Sequence, residues 1–229
     1  MPRPEKSVLA RTKGSRSAKA TQRGPQKRGE QTRRRILEAA EELFSRYGYS
    51  DTSLDSIAEL VGMHPPGIFY YFPDKWALYE AVVDDALASL DRATVAALAL
   101  ARPPEDRLLA MVSEWVDLLA ARPGLSNLLL RESANPDPST MPRAIPEAGQ
   151  RAQSALRDLL REIQPDAHPD DVFYLQSAIT GASLLYSTAM QRLVSGRDEP
   201  ELQHSREREK ELLFTTVRAL LRKIKAGRS

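Results

Sequence analysis

The residues with chemistry to offer are concentrated between Thr52 and Lys75, in the stretch TSLDSIAELVGMHPPGIFYYFPDK. Tyr70, Tyr71 and His64 bring rings with polar tips, Lys75 brings a point cation and Thr52 a hydroxyl. Side chains of these kinds suit contact with an anionic, hydrogen-bonding surface such as the phosphates and base edges of DNA. They do not suit turnover, because the chain offers no nucleophile paired with a base, no glycine-rich phosphate loop and no metal-ligand spacing. Cysteine is absent, and the three histidines, His64, His168 and His204, are scattered. Disulfides and thiolate metal sites are thereby excluded, and neither a metal nor a cofactor is expected.

These side chains must be positioned by two short helices. Thr52 stands as N-cap of the first, and Asp55 three residues on completes a capping box. Leu54, Ile57, Ala58 and Val61 recur at helical spacing and form one apolar face, which Gly62 terminates. His64 before Pro65 suits the extended geometry of a second cap, and Pro65 suits the first helical position. Two short helices joined by a tight glycine turn read as a helix-turn-helix.

The stretch resembles the DNA-binding segment of the TetR family of bacterial transcriptional regulators. The resemblance is carried by Thr52, Ile57, Ala58, Gly62, Ile68, Phe69, Tyr71, Phe72, Lys75 and Leu78, and extends upstream over Ile36 to Gly48. It implies that Lys75 and Tyr71 meet the DNA backbone. Where the family begins its second helix with a serine cap, a basic or polar residue, a small residue and threonine, this chain has His64, Pro65, Pro66 and Gly67. Proline before proline predicts a late or distorted helix start. Base readout is therefore expected from Tyr70, His64 and apolar contacts such as Pro66 with a thymine methyl group. Phe69 and Phe72 are expected in the core.

Upstream, Ile36, Ala40, Leu43, Phe44 and Tyr47 share one stripe of a helix expected from Gln31 or Thr32 to Tyr47, with Gly48 as its stop. Arg33 to Arg35 then fall in its first turn, where the helix dipole disfavours cations by roughly 0.3–1 kcal/mol each, a penalty that phosphate would reverse. Arg33 is accordingly a candidate DNA contact. Residues 1–35 hold twelve Lys/Arg against Glu5 and Glu30, so the formal net charge of +2 divides into +10 there and −8 in the remainder. The segment 1–30 mixes Arg, Lys, Ser, Gly and Pro with few large apolar residues and is expected to be a disordered basic arm. Such an arm either neutralises phosphates beside the main site or is simply solvated.

Downstream, helical periodicity runs to the end of the chain, with breaks at Arg102-Pro103-Pro104, Pro123-Gly124, Asn135 to Pro146, Pro165 with Pro169, and Gly196 with Pro200. The expectation is an all-α protein: a three-helix DNA-binding domain over 31–76 containing the helix-turn-helix, and a larger helical domain over 77–229. In the family this second domain binds a small-molecule effector and dimerises. Met111, Trp115, Asn127, Phe173, Gln176 and Tyr186 are candidates for the effector pocket. Leu212, Leu213, Val217, Leu220, Leu221 and Ile224, with a second stripe around Gly181 and Ala182, suit pairing into a homodimer. The resemblance implies a repressor released from a palindromic double-stranded operator by an effector. A constitutive, weakly specific DNA-binding protein is the alternative. No apolar run is long enough to cross a membrane, and a cytoplasmic location is expected.

Overall fold

The computed structural model describes residues 23–134, 141–193 and 199–227, and every regular element among them is helical. In chain order these are α1 (Arg23–Asp51), α2 (Leu54–Val61), α3 (Pro66–Phe69), α4 (Lys75–Leu98) and α5 (Pro104–Ala121). There follow α6 (Pro123–Ser133), α7 (Ala144–Ile163), α8 (Pro169–Leu193) and α9 (Glu199–Ala226). The all-α class, with a small amino-terminal helix-turn-helix and a larger helical body, is the one the sequence implies. Proline opens α5, α6 and α8, at positions whose N–H would have no partner inside the helix.

The first helix departs from expectation at both ends. It begins at Arg23, so residues 23–30 are helical, while 1–22 lie outside the described residues. Pro25 falls within the opening turn, where it breaks no intrahelical bond, and Gln26, Lys27, Arg28, Glu30 and Gln31 are good helix formers. The Thr32 hydroxyl donates to the Arg28 carbonyl at 3.0 Å, within that added turn. At the far end Gly48 adopts φ 85°, ψ 174°, a left-handed φ that bends the chain while helical geometry resumes beyond it. Tyr47, expected on the apolar stripe, is 50% exposed, and Tyr49, beyond the bend, packs partly buried against the core. The Tyr49 ring lies 5.5 Å from Trp76 and 5.1 Å from Tyr79, and Phe44 meets Tyr79 edge-on at 4.9 Å.

Two buried clusters result. The first joins Ile36, Ala40 and Phe44 of α1, Ile57 and Val61 of α2, Ile68 and Phe72, and Leu78 to Leu87 of α4 to Leu119, Leu125, Leu128 and Leu129. The second joins Leu108, Val112 and Trp115 of α5 to Leu156 and Leu160 of α7, Leu175 and Ile179 of α8, and Leu213, Val217 and Leu221 of α9. Helix α4 serves both, through Leu78 to Leu87 at one end and Ala97 at the other.

Polar contacts fasten the clusters at defined points. Arg122, between α5 and α6, pairs with Glu41 of α1, with Asp85 of α4 at 3.0 Å, and donates to Ser89 at 2.9 Å. Burial disfavours its charge, but the hydrogen bond to Glu41 and the two carboxylates outweigh that and raise its pKa. Tyr79 is 1% exposed, and its hydroxyl donates to Glu132 of α6. Burial first, and then that hydrogen bond, raises the Tyr79 pKa and holds the phenol protonated.

In the second half of the molecule, Glu209 of α9 is only 4% exposed and its Oε1 has no hydrogen-bond partner. Burial pushes its pKa up to about 8 from an ordinary 4.5, with Asp117 adding to the rise and Lys210 opposing it. The folded chain therefore holds a proton that the unfolded chain releases. Its contribution is fully present below about pH 4.5 and is lost as pH rises through about 8. Glu209→Gln is expected to flatten the pH dependence of stability across that window and to be more stable than the parent above pH 8. Urea unfolding midpoints at half-unit pH steps give the test, and parallel profiles for the two proteins would refute it.

Candidate nucleic-acid interface

The surface is built on α2 and α3, which pack across the turn at Gly62. Gly62 lies at φ 71°, ψ 39°, and its N–H together with that of Met63 closes the end of α2 onto Glu59 and Ala58, at 3.0 and 2.8 Å. A left-handed residue is what reverses the chain in so few atoms. Arg35 of α1 donates to the Val61 carbonyl at 2.7 Å and so satisfies another free acceptor of that helix end. The apolar sides of Ile57, Ala58, Val61 and Ile68 face α1 and α4 and are 0–5% exposed, which leaves the outer sides of both short helices to solvent.

The cap of α2 is Ser53 rather than Thr52. Ser53 is extended at φ −108°, ψ 153°, and its Oγ accepts from the Ser56 N–H at 3.0 Å. Thr52 turns inward to 3% exposure, and its hydroxyl faces the carbonyls of Gly48 at 2.7 Å and Leu43 at 3.2 Å. Its proton thus tethers the bend of α1 instead of facing solvent. Two adjacent hydroxyl residues precede the helix, and sequence alone does not say which of them the chain reversal turns inward.

Helix α3 is a single turn without a side-chain cap. His64 and Pro65 supply backbone carbonyls, accepting from Gly67 at 2.8 Å and Ile68 at 3.0 Å. Pro65 is itself in right-handed helical geometry, φ −49°, ψ −41°, and stands in the cap position expected for His64. The helix starts one residue late, at Pro66, but the departure from helical geometry expected at Pro65 ahead of a second proline does not occur. His64 and Pro66 are exposed, and Gly67 is half-buried with Met63 Cε 2.9 Å from where a Cβ would stand. Phe72 is core at 3% exposure, whereas Phe69, expected there too, is 52% exposed. One turn of helix points only Ile68 inward, and the 69 and 70 side chains emerge on the outer side. Tyr70 is 85% exposed and meets Tyr71 edge-on at 5.1 Å.

The cations border this surface. Asp74 caps α4 by accepting from the Ala77 N–H at 2.8 Å. Lys75 follows it, donating to the Ser50 carbonyl at 3.2 Å and standing 4.4 Å over the Tyr49 ring. Arg33 lies 5.0 Å over the Phe72 ring. With α1 beginning at Arg23, Arg33 to Arg35 sit in the body of the helix and not in its first turn, so the dipole argument for them falls away. Arg34 pairs with Glu38 at 2.9 Å, one turn on.

The residues expected to line an effector pocket do not share one wall. Met111 and Trp115 are buried in the second cluster, and the Trp115 indole donates to the Thr94 hydroxyl at 2.9 Å. Asn127 lines an open cleft of about 830 Å³ together with Glu38, Glu41, Asp85 and Arg122. Phe173 is 59% exposed on the outside of α8, Gln176 is half-buried, and the Tyr186 hydroxyl donates to the Ser205 carbonyl at 3.1 Å. No cluster of potential metal ligands and no helix long and apolar enough to cross a membrane occurs among the described residues.

A glycine-turned pair of short helices, backed by a longer helix and outwardly exposed, defines a helix-turn-helix head. Residues 36–82 match the family model for bacterial regulatory proteins of the tetR family. Over these residues the chain is similar to the DNA-binding segment of TetR-family regulators. It is 48% identical over 52 residues to the HTH-type transcriptional regulator RutR of Escherichia coli (strain K12), a match covering 23% of this chain and 24% of that one. The match thus spans about a quarter of that relative's length. A longer match, 28% identical over 177 residues, covers 74% of this chain and 86% of the HTH-type transcriptional repressor SCO4008 of Streptomyces coelicolor. The fold is shared with a TetR-like transcriptional regulator from Rhodococcus sp. RHA1, at a TM-score of 0.66 and 19% identity, over 86% of this chain and 97% of the other.

Thr52→Val keeps the shape of the side chain and removes the proton that reaches Gly48 and Leu43. It is expected to lower stability by about 1–3 kcal/mol, the cost of leaving buried acceptors without a donor. Thermal or urea unfolding measures this, and Ser53→Ala, which removes an exposed cap, is expected to cost about 1 kcal/mol.

Proposed function

We propose that this chain is a dimeric transcriptional regulator that binds double-stranded DNA through α2 and α3, represses from a roughly palindromic operator, and is released by a small-molecule effector held in the helical body. The division between a head over 31–76 and a body over 77–229 belongs to the same reading. The observation that carries it is the helix-turn-helix geometry at Gly62, with exposed outer faces and cations on its border. Repression is supported by the name of the Streptomyces relative. Release requires that the effector bind one spacing of the two heads better than the other, and α4, buried in both clusters, is the element through which body and head communicate.

Dimerisation is supported by the outer faces of the last two helices. Tyr174, Ser177, Gly181 and Leu185 recur at helical spacing on α8, with Tyr174 57% and Leu185 62% exposed. A Cβ added at Gly181 would meet nothing within 4 Å, so a second helix has room to approach there. On α9 the stripe expected for pairing divides: Leu213, Val217 and Leu221 close the core of the monomer, while Leu212 is 52% exposed. Two-fold pairing of these faces would present two heads to successive major grooves.

Selection of bound duplexes from a random pool by the full-length protein tests the DNA reading. A palindromic winner is expected. Lys75→Ala with Tyr71→Phe is expected to weaken its binding and to lower the salt slope by about one for each phosphate no longer neutralised. Binding to all sequences alike, in proportion to salt, would favour the constitutive, weakly specific alternative. The basic charge of residues 1–35 is the observation that keeps that alternative in view. In sedimentation, the doubly substituted Leu185→Glu, Leu212→Glu protein is expected to run as a monomer and to lose operator affinity. A dimer surviving both charges would place the interface elsewhere.

A further inference from the structure

The stretch from Met63 to Phe72, MHPPGIFYYF, contains no Lys, Arg, Asn, Gln, Ser, Thr, Asp or Glu. Bidentate reading of a base edge needs a guanidinium, an amide or a comparable pair of polar atoms, and none is present. The imidazole of His64 and the hydroxyl of Tyr70 can each make single hydrogen bonds only. The backbone is equally poor in donors. Pro65 and Pro66 have no N–H, and those of Met63, Gly67, Ile68, Tyr71 and Phe72 are already bonded to carbonyls at 2.8–3.0 Å.

What the surface does present is carbon. Phe69 and Tyr70, 52% and 85% exposed, follow exposed Pro66 on α3, where Ile68 and nearby Phe72 are 0–3% exposed; elsewhere on the head Leu60 and Tyr47 are each 50% exposed. Ring contact with Tyr71 at 5.1 Å steadies Tyr70 in that exposed position. Arg33, 5.0 Å over the ring of Phe72, brings a cation to the end of this segment, where it could meet a phosphate. Among the groups displayed in the major groove, the one that takes an apolar contact is the pyrimidine C5-methyl.

We propose that Phe69 and Tyr70 read C5-methyl groups in the major groove, so that this head distinguishes thymine from uracil and 5-methylcytosine from cytosine by carbon contact. The proposal rests on the reading of the head as DNA-binding. The contact surfaces are the two rings, and the Tyr70 hydroxyl is not required.

The test takes the duplex enriched by the full-length protein and replaces thymine by deoxyuridine one position at a time in each half-site. Binding is followed by fluorescence anisotropy. At one or more positions, affinity is expected to fall about fourfold for each methyl removed, or roughly fifteenfold when both half-sites are changed. At the same position a 5-methylcytosine·guanine pair is expected to bind about fourfold better than cytosine·guanine. Phe69→Ala and Tyr70→Ala should each reduce the discrimination, whereas Tyr70→Phe should keep it. An enriched duplex bound equally with uracil at every position overturns the methyl reading and leaves the DNA reading standing. Failure of Tyr70→Phe to discriminate overturns it as well, in favour of a hydroxyl contact. Absence of any enriched duplex overturns the operator reading and this one with it.

Discussion

The structure depends on the double burial of α4. Its first turns lie among α1, α2 and α6, through Leu78, Tyr79, Val82 and Val83, all 0–1% exposed, and its last turns enter the second cluster at Ala97. A helix packed at both ends in close-packed surroundings cannot slide at one without disturbing the other. Arg122 adds a polar constraint of the same kind. Its guanidinium holds carboxylates from α1 and α4, and removing either partner would leave part of a partly buried charge uncompensated. Tyr79 and Glu132 repeat the arrangement a short way along α4. Head and body are therefore joined by packing and by directional bonds, and not by a flexible linker.

Within that frame the head uses its polar groups mostly on itself. Thr52 holds the bend of α1, Ser53 caps α2, Arg35 closes its far end, and Lys75 returns to the Ser50 carbonyl. The side chains left to face outward from the turn and α3 are rings and prolines. For the DNA contact proposed above, this allocation leaves the electrostatic part to the border, where Arg33 and the remaining Lys75 donors stand.

Much of this is legible in the residues. The apolar spacing of Leu54, Ile57, Ala58 and Val61, the glycine at 62 and the breaks marked by proline each act locally, and each appears where the spacing puts it. What is not legible depends on chain direction in space. Gly48 reads as a stop, but its positive φ turns the chain so that Tyr49 packs against the core while Tyr47 stays half-exposed, which no periodicity shows. The same turn decides that Thr52 faces inward and Ser53 caps. The apolar ring of Phe69 suggests the interior, whereas a single helical turn has one inward position and Ile68 occupies it. The start of α1 at Arg23 reflects good helix formers in a charged segment whose composition reads as unstructured.

The first cluster carries a consequence for portability. Its walls include Leu119, Leu125, Leu128 and Leu129, which come from α5 and α6, far along the chain from the helix-turn-helix they support. Cutting the chain after residue 76 would strip those walls from Ile36, Ala40 and Phe44 and remove Leu78 to Leu87 as well. A graft of this head onto a foreign body therefore has to carry the matching leucine face of α6 with it.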